Sequence, residues 1–212
     1  MLEPASVLPE AIYDELRAGV VDQTYPPGAS ITESAVAQRF GVARPTAKMA
    51  IERLVTEGLL RRELHQSARV PQLTGDDIRD LFDNRAVVES AAVAALDAVP
   101  RDAMTAHRAL LASTGNFAQN DIAFHRALVA GQPSPRLARM HALLMGEIEL
   151  CIGQVQAAHL FTAAEVAAQH QGILDAIARG ESAAAAALTR DHIVGSRDRL
   201  LAHVTKEVNA HG

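Results

Sequence analysis

Residues 31–58 read Ile31-Thr32-Glu33-Ser34-Ala35-Val36-Ala37-Gln38-Arg39-Phe40-Gly41-Val42-Ala43-Arg44-Pro45-Thr46-Ala47-Lys48-Met49-Ala50-Ile51-Glu52-Arg53-Leu54-Val55-Thr56-Glu57-Gly58. Thr32 offers a side-chain oxygen to the first turn of a short helix running through Arg39, with Val36, Ala37 and Phe40 facing inward. Gly41-Val42-Ala43 makes a short turn. Pro45 suits the opening position of the next helix because its missing donor is not needed there. Ala47, Ala50, Ile51 and Leu54 form that helix's buried face, and Gly58 closes it. Two helices joined by a short turn containing glycine make a helix-turn-helix.

Upstream, Ile12, Leu16 and Val20 form an apolar stripe from Pro9 to about Val21, and Tyr25-Pro26-Pro27-Gly28 stops that helix. Downstream, Leu59 to Val70 is the one stretch that reads as a hairpin, and it forms a wing. Pro71 to Gly75 is a linker, and Thr74 caps a helix starting near Asp76. The remainder is Ala-rich with apolar residues spaced at three and four. It breaks near Val99-Pro100, Thr114-Gly115-Asn116, Gly131 to Pro135, Gly153 to His159 and Arg179-Gly180, which delimits about six helices. The expected fold class is mainly α: a winged helix-turn-helix of three helices plus a small β wing, then an all-α helical bundle. The expected boundaries are 1–70 for the winged helix-turn-helix, 71–75 for the linker, and 76–212 for the helical bundle.

The 212 residues carry a formal net charge of −5, unevenly distributed. Residues 39–69 hold seven basic residues (Arg39, Arg44, Lys48, Arg53, Arg61, Arg62, Arg69) against three acidic, a local +4 that suits phosphate binding. A solvated helix face is the plainer explanation of the same charges. The single cysteine, Cys151, cannot form an internal disulfide and reads as a small buried apolar residue. No apolar run reaches the length of a membrane span, and the N-terminus lacks the pattern of an export signal, so the expected location is the cytoplasm, with no membrane partner.

The second helix of the helix-turn-helix would enter the major groove with its N-terminal residues, which places Arg44, Thr46 and Lys48 nearest to base edges. Arginine can bond a guanine edge with two donors, whereas lysine and threonine discriminate less. Further along, Asp121 and His125 are four apart and share one helix face, with His170 and His192 on separate helices. Three imidazoles and a carboxylate suit a divalent ion, zinc ahead of nickel, iron or manganese. On spacing alone, one such pair among nine histidines equally fits an ordinary polar face. His107, His141, His159, His203 and His211 join no partner pattern and are assigned to surfaces or packing.

Taken together, Tyr25-Pro26-Pro27-Gly28, Ile31-Thr32-Glu33, Ala35-Val36-Ala37, Phe40 to Thr46, Ile51-Glu52-Arg53-Leu54 and Glu57-Gly58-Leu59 resemble the winged helix-turn-helix of the GntR family. The resemblance implies operator contacts by Arg44 and Lys48, with Thr46, Glu33, Ser34 and the wing residues His65 and Gln66 completing the candidate set. Family members often have Arg-Thr-Pro-Val-Arg where this chain has Arg44-Pro45-Thr46-Ala47-Lys48, so Lys48 is as suited to phosphate as to a base. His65-Gln66-Ser67 replace the usual wing-tip glycine.

Leu73-Thr74, Asp77-Ile78, Leu81, Arg85, Glu89, Asp121 to His125, His170 to Ile177, Gly180 and His192 resemble the all-helical effector domain of the FadR-type branch, the FCD domain. That resemblance implies a divalent metal ion on Asp121, His125, His170 and His192, a small carboxylate effector, and Arg85 as its counter-charge. Gln169 stands where the family usually has glutamate, removing a carboxylate from beside the third ligand. The implied function is a homodimeric repressor that binds near-palindromic operator DNA and is released by an organic acid. A regulator whose metal is itself the signal, or merely structural, is the alternative. A metal-dependent hydrolase, with Glu147 or Glu149 as base, is the distant one.

Overall fold

The structure is a computed structural model that describes residues 9–64, 66–114, 117–155 and 160–211, with side chains described as far as residue 206. The chain divides into two compact units, Met1–Gln72 and Leu73–Gly212.

In the first unit, α1 (Pro9–Val21), α2 (Glu33–Phe40) and α3 (Arg44–Thr56) pack together through Ile12, Leu16, Val20, Val36, Ala47, Ile51 and Leu54. Each apolar stripe recurs at helical spacing, so one face of each helix is removed from water. Thr32 caps α2, its side chain accepting from the Ala35 amide, and Gly41 ends α2 in the left-handed conformation at φ 65°. A residue with a Cβ is strained at that angle, so glycine fits the turn of the helix-turn-helix. Pro45 sits at the second position of α3, because Arg44 is already helical.

The wing differs from the local hairpin expected. Ala68–Arg69 (β2) pairs antiparallel with Ser30–Ile31 (β1), in the register Ser30 to Arg69 and Ile31 to Ala68. Among the described residues the expected arms of the hairpin meet at one bridge, Arg61 to Arg69. A two-residue strand carries no alternation to read, and its partner lies nearly forty residues away, which is why Ser30–Ile31 was not legible as a strand.

The second unit contains six helices among the described residues: α4 (Gly75–Ala94), α5 (Arg101–Leu111), α6 (Ala118–Ala130), α7 (Pro135–Gln154), α8 (Ala163–Ala178) and α9 (Ser182–His211). Part of the expected breaks at residues 114–116 and 153–159 lies outside the described residues. The linker expected at 71–75 is one residue shorter, since Gly75 begins α4. Thr74 closes a reciprocal capping box with Asp77, and Thr162 does the same with Glu165. Gly131 is required by packing: a Cβ there would lie 2.4 Å from Pro100 Cγ, so the two breaks near residues 100 and 131 meet closely.

Helix α4 packs along α9, and α5 along α6. One core joins Ile78, Phe82, Ile122, Met145, Ile148, Ile193 and Leu200; another joins Val93, Phe124, Leu128, Ile173, Leu174 and Ile177. Cys151 is fully buried in the first, and burial pushes its thiol up to about 12, so it is an inert packing residue. Among the described residues no helix is long and apolar enough to cross a membrane.

Candidate functional site

The bundle brings Asp121 and His125 of α6, His170 of α8 and His192 of α9 together, with one ligand atom from each lying within 4.8 Å of the others. His125, His170 and His192 are buried, and Asp121 is nearly so, at 14% side-chain exposure. Two imidazoles are held from behind. His125 Nδ1 donates to Glu89 Oε2 at 2.5 Å, and His192 Nδ1 donates to Gln169 Oε1 at 2.7 Å. These partners are pure acceptors, so they place the proton on Nδ1 and turn both Nε2 lone pairs inward. The two Nε2 atoms are 3.1 Å apart.

His170 is stacked on Phe124, with ring centroids 3.7 Å apart and 10° between planes. Its Nε2 lies 3.2 Å from Asp121 Oδ1, yet neither atom has a properly aligned hydrogen bond, and His170 Nδ1 has none either. Buried polar atoms without partners are costly, and a cluster of them on converging ligand types fits a cation. Bonds of about 2.0–2.2 Å to one ion keep ligand atoms within about 4.4 Å of each other. The observed 4.8 Å spread is within a few tenths of an ångström of that limit.

Electrostatics prepare the same groups. Burial would raise the Asp121 carboxyl, but His125 and His170 beside it hold it well below the usual carboxylate range. Burial pushes His170 down to about 4, against the pull of Asp121, and burial with the neighbouring His125 and His170 pushes His192 well below its ordinary value. His125 is shifted the other way: burial would lower it, but the Glu89 and Asp121 carboxylates on either side raise it above its ordinary value. The ionised carboxylate and the neutral imidazoles of His170 and His192 are protonation states that a metal ion needs, and an ion at the site would displace the proton that His125 otherwise favours.

Behind this cluster lies a network that the sequence did not reveal. Glu89 is fully buried and accepts from Arg85 Nε at 2.7 Å, from His141 Nε2 at 2.9 Å and from His125 Nδ1. Burial would raise Glu89, but the Arg85 guanidinium and His125 hold it well below the usual range. His141 therefore has a specific partner, contrary to its assignment to surface or ordinary packing; that partner is 52 residues away in sequence. Gln169 likewise does not leave its neighbourhood empty, since its carbonyl orients His192 in place of a carboxylate. His107 is buried near Phe124 and His170. His159 lies outside the described residues, as does the His211 side chain.

Arg85 is 2% exposed, and its Nη2 has no hydrogen-bond partner among the described residues. It lines a cavity together with Asp121, His192, Ser196 and a set of apolar side chains. Glu149 is buried rather than on an ordinary helix surface. Its carboxylate is engaged by Gln119 at 2.9 Å and Arg126 at 3.4 Å, and it does not line that cavity, so it is no base for chemistry there.

In the first unit, Arg44, Pro45, Lys48 and Met49 make the exposed N-terminal half of α3, and Thr46 is half-buried. Arg44 donates to Ser34 Oγ at 3.0 Å, which joins the starts of α2 and α3. Glu33 is partly exposed and lies 3.9 Å from Arg62, which also holds Glu52. Gln66 is exposed, and His65 lies outside the described residues. The charge of the +4 segment is thus partly paired at the surface: Arg39 pairs with Glu15, Arg53 with Glu10 and Glu57, and Arg62 with Glu52. Met49, 63% exposed beside Lys48, is an exposed apolar residue that the helical pattern did not single out.

A helix-turn-helix head and a helical bundle enclosing a His/Asp cluster define a bacterial transcription regulator with a sensory domain. Residues 8–70 match the family described as bacterial regulatory proteins, gntR family, and residues 80–195 match the FCD domain. The chain belongs to the GntR family of regulators, in the group carrying an FCD domain. It is similar to a GntR transcriptional regulator from Rhodococcus sp. RHA1, at 25% identity and a TM-score of 0.78, covering 92% of this chain and 97% of that one. Escherichia coli McbR/YncC shares the fold, with a TM-score of 0.70 at 17% identity over 94% of this chain and 98% of that one. The HTH-type regulator YdhC of Bacillus subtilis (strain 168) is 30% identical over 81 residues, which are 38% of this chain and 36% of YdhC. That match spans about a third of YdhC's length. These relatives are regulators, not enzymes, which removes the hydrolase alternative.

Proposed function

We propose that the protein is a homodimeric transcriptional repressor whose operator affinity is controlled by a small organic acid bound beside a divalent metal ion. The observation that carries this reading is the convergence of Asp121, His125, His170 and His192, with orphaned buried atoms inside the cluster and acceptors fixing two imidazoles from outside. These four residues would hold the ion, zinc ahead of nickel, iron or manganese. When bound, the ion supplies a Lewis-acidic position for a carboxylate oxygen. Arg85, which lines the adjoining cavity and has an unpaired Nη2 among the described residues, supplies the counter-charge. The ligand controls DNA binding only to the extent that it prefers one of two arrangements of the heads.

On DNA, the N-terminal half of α3 enters the major groove. Arg44 reads a base edge, Lys48 contacts phosphate, and Met49 offers an apolar surface to a thymine methyl. Thr46, Ser34 and the wing, with Gln66 and His65, complete the contacts. Glu33 acts indirectly, by holding Arg62. Two heads on successive major grooves need half-sites about 10 base pairs apart.

Selection from a random DNA library therefore returns a near-palindromic site of that spacing, and a site without symmetry would overturn the dimeric mode of binding. On the selected site, Arg44→Ala weakens binding by about 1–3 kcal/mol and relaxes one base position, as read by titration against single-base variants. Lys48→Ala weakens binding evenly and lowers the salt-dependence slope by about one. An unchanged affinity with Arg44→Ala would remove Arg44 from the interface. For the sensory half, a panel of organic acids is screened by thermal shift on zinc-loaded protein and again after chelation. At least one acid raises the melting temperature of the loaded protein and releases the selected DNA. Stabilisation that survives chelation would sink the role of the metal.

A further inference from the structure

We infer that the acid taken by this cavity is a monocarboxylate with a compact apolar body, an aromatic ring or a branched chain, rather than a dicarboxylate or a polyhydroxy acid. The inference rests on the metal-and-carboxylate reading above and names the ligand class of that same site.

The cavity is two-faced. Among the described residues its polar groups are Arg85, Asp121, His192 and Ser196, and the rest of its lining is apolar. Phe82, Phe117 and Phe161 all line it, so three of the five phenylalanines of a chain with 3% aromatic residues surround this one space. Ile152 and Leu200 extend the apolar wall. The two faces are ordered along α9, where His192, Ser196 and Leu200 follow at intervals of four residues on one helix face, each step about 6 Å along the axis. The ligand that fits has a charged head at the His192 end and an apolar body reaching toward Leu200.

Charge limits the ligand to one carboxylate. Arg85 Nε is committed to Glu89 while its Nη2 has no partner among the described residues, so this one guanidinium, already sharing its charge with Glu89, is the cation that the lining offers to a carboxylate. A second carboxylate would meet phenyl and alkyl walls or the like charge of Asp121, and burying it unpaired is strongly unfavourable. Hydroxyl groups fare little better, because among the described residues Ser196 is the one hydroxyl in the lining. An apolar body, in contrast, gains from every carbon it removes from water.

The test is calorimetric titration of the full-length zinc-loaded protein with acetate, benzoate, isovalerate, succinate and gluconate. Benzoate or isovalerate binds about tenfold or more tightly than acetate, from the added apolar contact. Succinate and gluconate bind no more tightly than acetate. Phe161→Ser reduces the ratio of benzoate to acetate affinity by about tenfold, with zinc stoichiometry measured on the same sample to show that the bundle is intact. Tighter binding of succinate or gluconate than of benzoate would overturn the ligand class while leaving the carboxylate site standing. An unchanged benzoate-to-acetate ratio in Phe161→Ser would also overturn it. Absence of binding by all five acids to protein that retains zinc would remove the carboxylate site itself.

Discussion

Glu89→Ala is expected to destabilise the second unit by about 3–5 kcal/mol, the loss that follows when one partner of a buried ion pair is removed. Glu89 is 0% exposed and Arg85 is 2% exposed, so water cannot replace the carboxylate that Arg85 Nε, His141 Nε2 and His125 Nδ1 share. The variant leaves a buried guanidinium without its charge partner and two buried imidazoles without an acceptor. Urea unfolding of the metal-free protein reads the effect as a fall in the transition midpoint of that unit. The double variant Arg85→Met with Glu89→Met recovers part of the loss, because the unpaired charge is gone while His125 and His141 still lack an acceptor. Glu89→Gln separates stability from ligand orientation. It keeps the shape but not the charge behind His125, and zinc affinity falls by about 10–100-fold, as expected for an outer partner of a metal-bound histidine. A metal-free stability equal to wild type in Glu89→Ala would mean that the network contributes nothing.

The second large effect is on metal binding itself. Asp121→Asn is nearly isosteric but cannot present a carboxylate, and it should weaken zinc by more than the roughly 10–100-fold attributed to an outer partner. In wild type, zinc at 1,000 times its dissociation constant stabilises the native state by about 4 kcal/mol. At the same zinc concentration a loss beyond 100-fold cuts that increment below about 1.4 kcal/mol in Asp121→Asn, and chelation removes it from wild type. The metal-free variant is measured in parallel, because the substitution also removes the charge that His125 and His170 face. Competition with a chromophoric chelator measures the affinity, and thermal melts with and without zinc measure the increment. Zinc binding at wild-type strength in Asp121→Asn would show that Asp121 is not a ligand.

The sequence was informative wherever the information is local. Thr32, Gly41 and the stripe of Ala47, Ala50, Ile51 and Leu54 act within a turn or two of the backbone, so the helix-turn-helix could be read from spacing. Thr74 and Gly180 marked helix ends for the same reason: caps and breaks of that kind depend on near neighbours. The pairing of Asp121 with His125 on one helix face also follows from helix geometry alone. The segment Ser30–Ile31 was not legible as a strand because its partner comes from across the unit and two residues set no period.

Within the site, only tertiary structure could bring His170 and His192 to Asp121 and His125, since each histidine stands on its own helix and packing alone sets their separation. The acceptors behind the imidazoles were equally hidden. Glu89 reaches His125 across 36 residues, His141 reaches Glu89 across 52, and Gln169 reaches His192 across 23. Hydrogen bonds of that kind have no sequence period. They exist because burial deprives a polar atom of water and leaves it only the partners that the fold supplies. The amino-acid sequence thus determined the helices, their caps and the head's helix-turn-helix, and the folding of the bundle decided which polar side chains face one another without solvent.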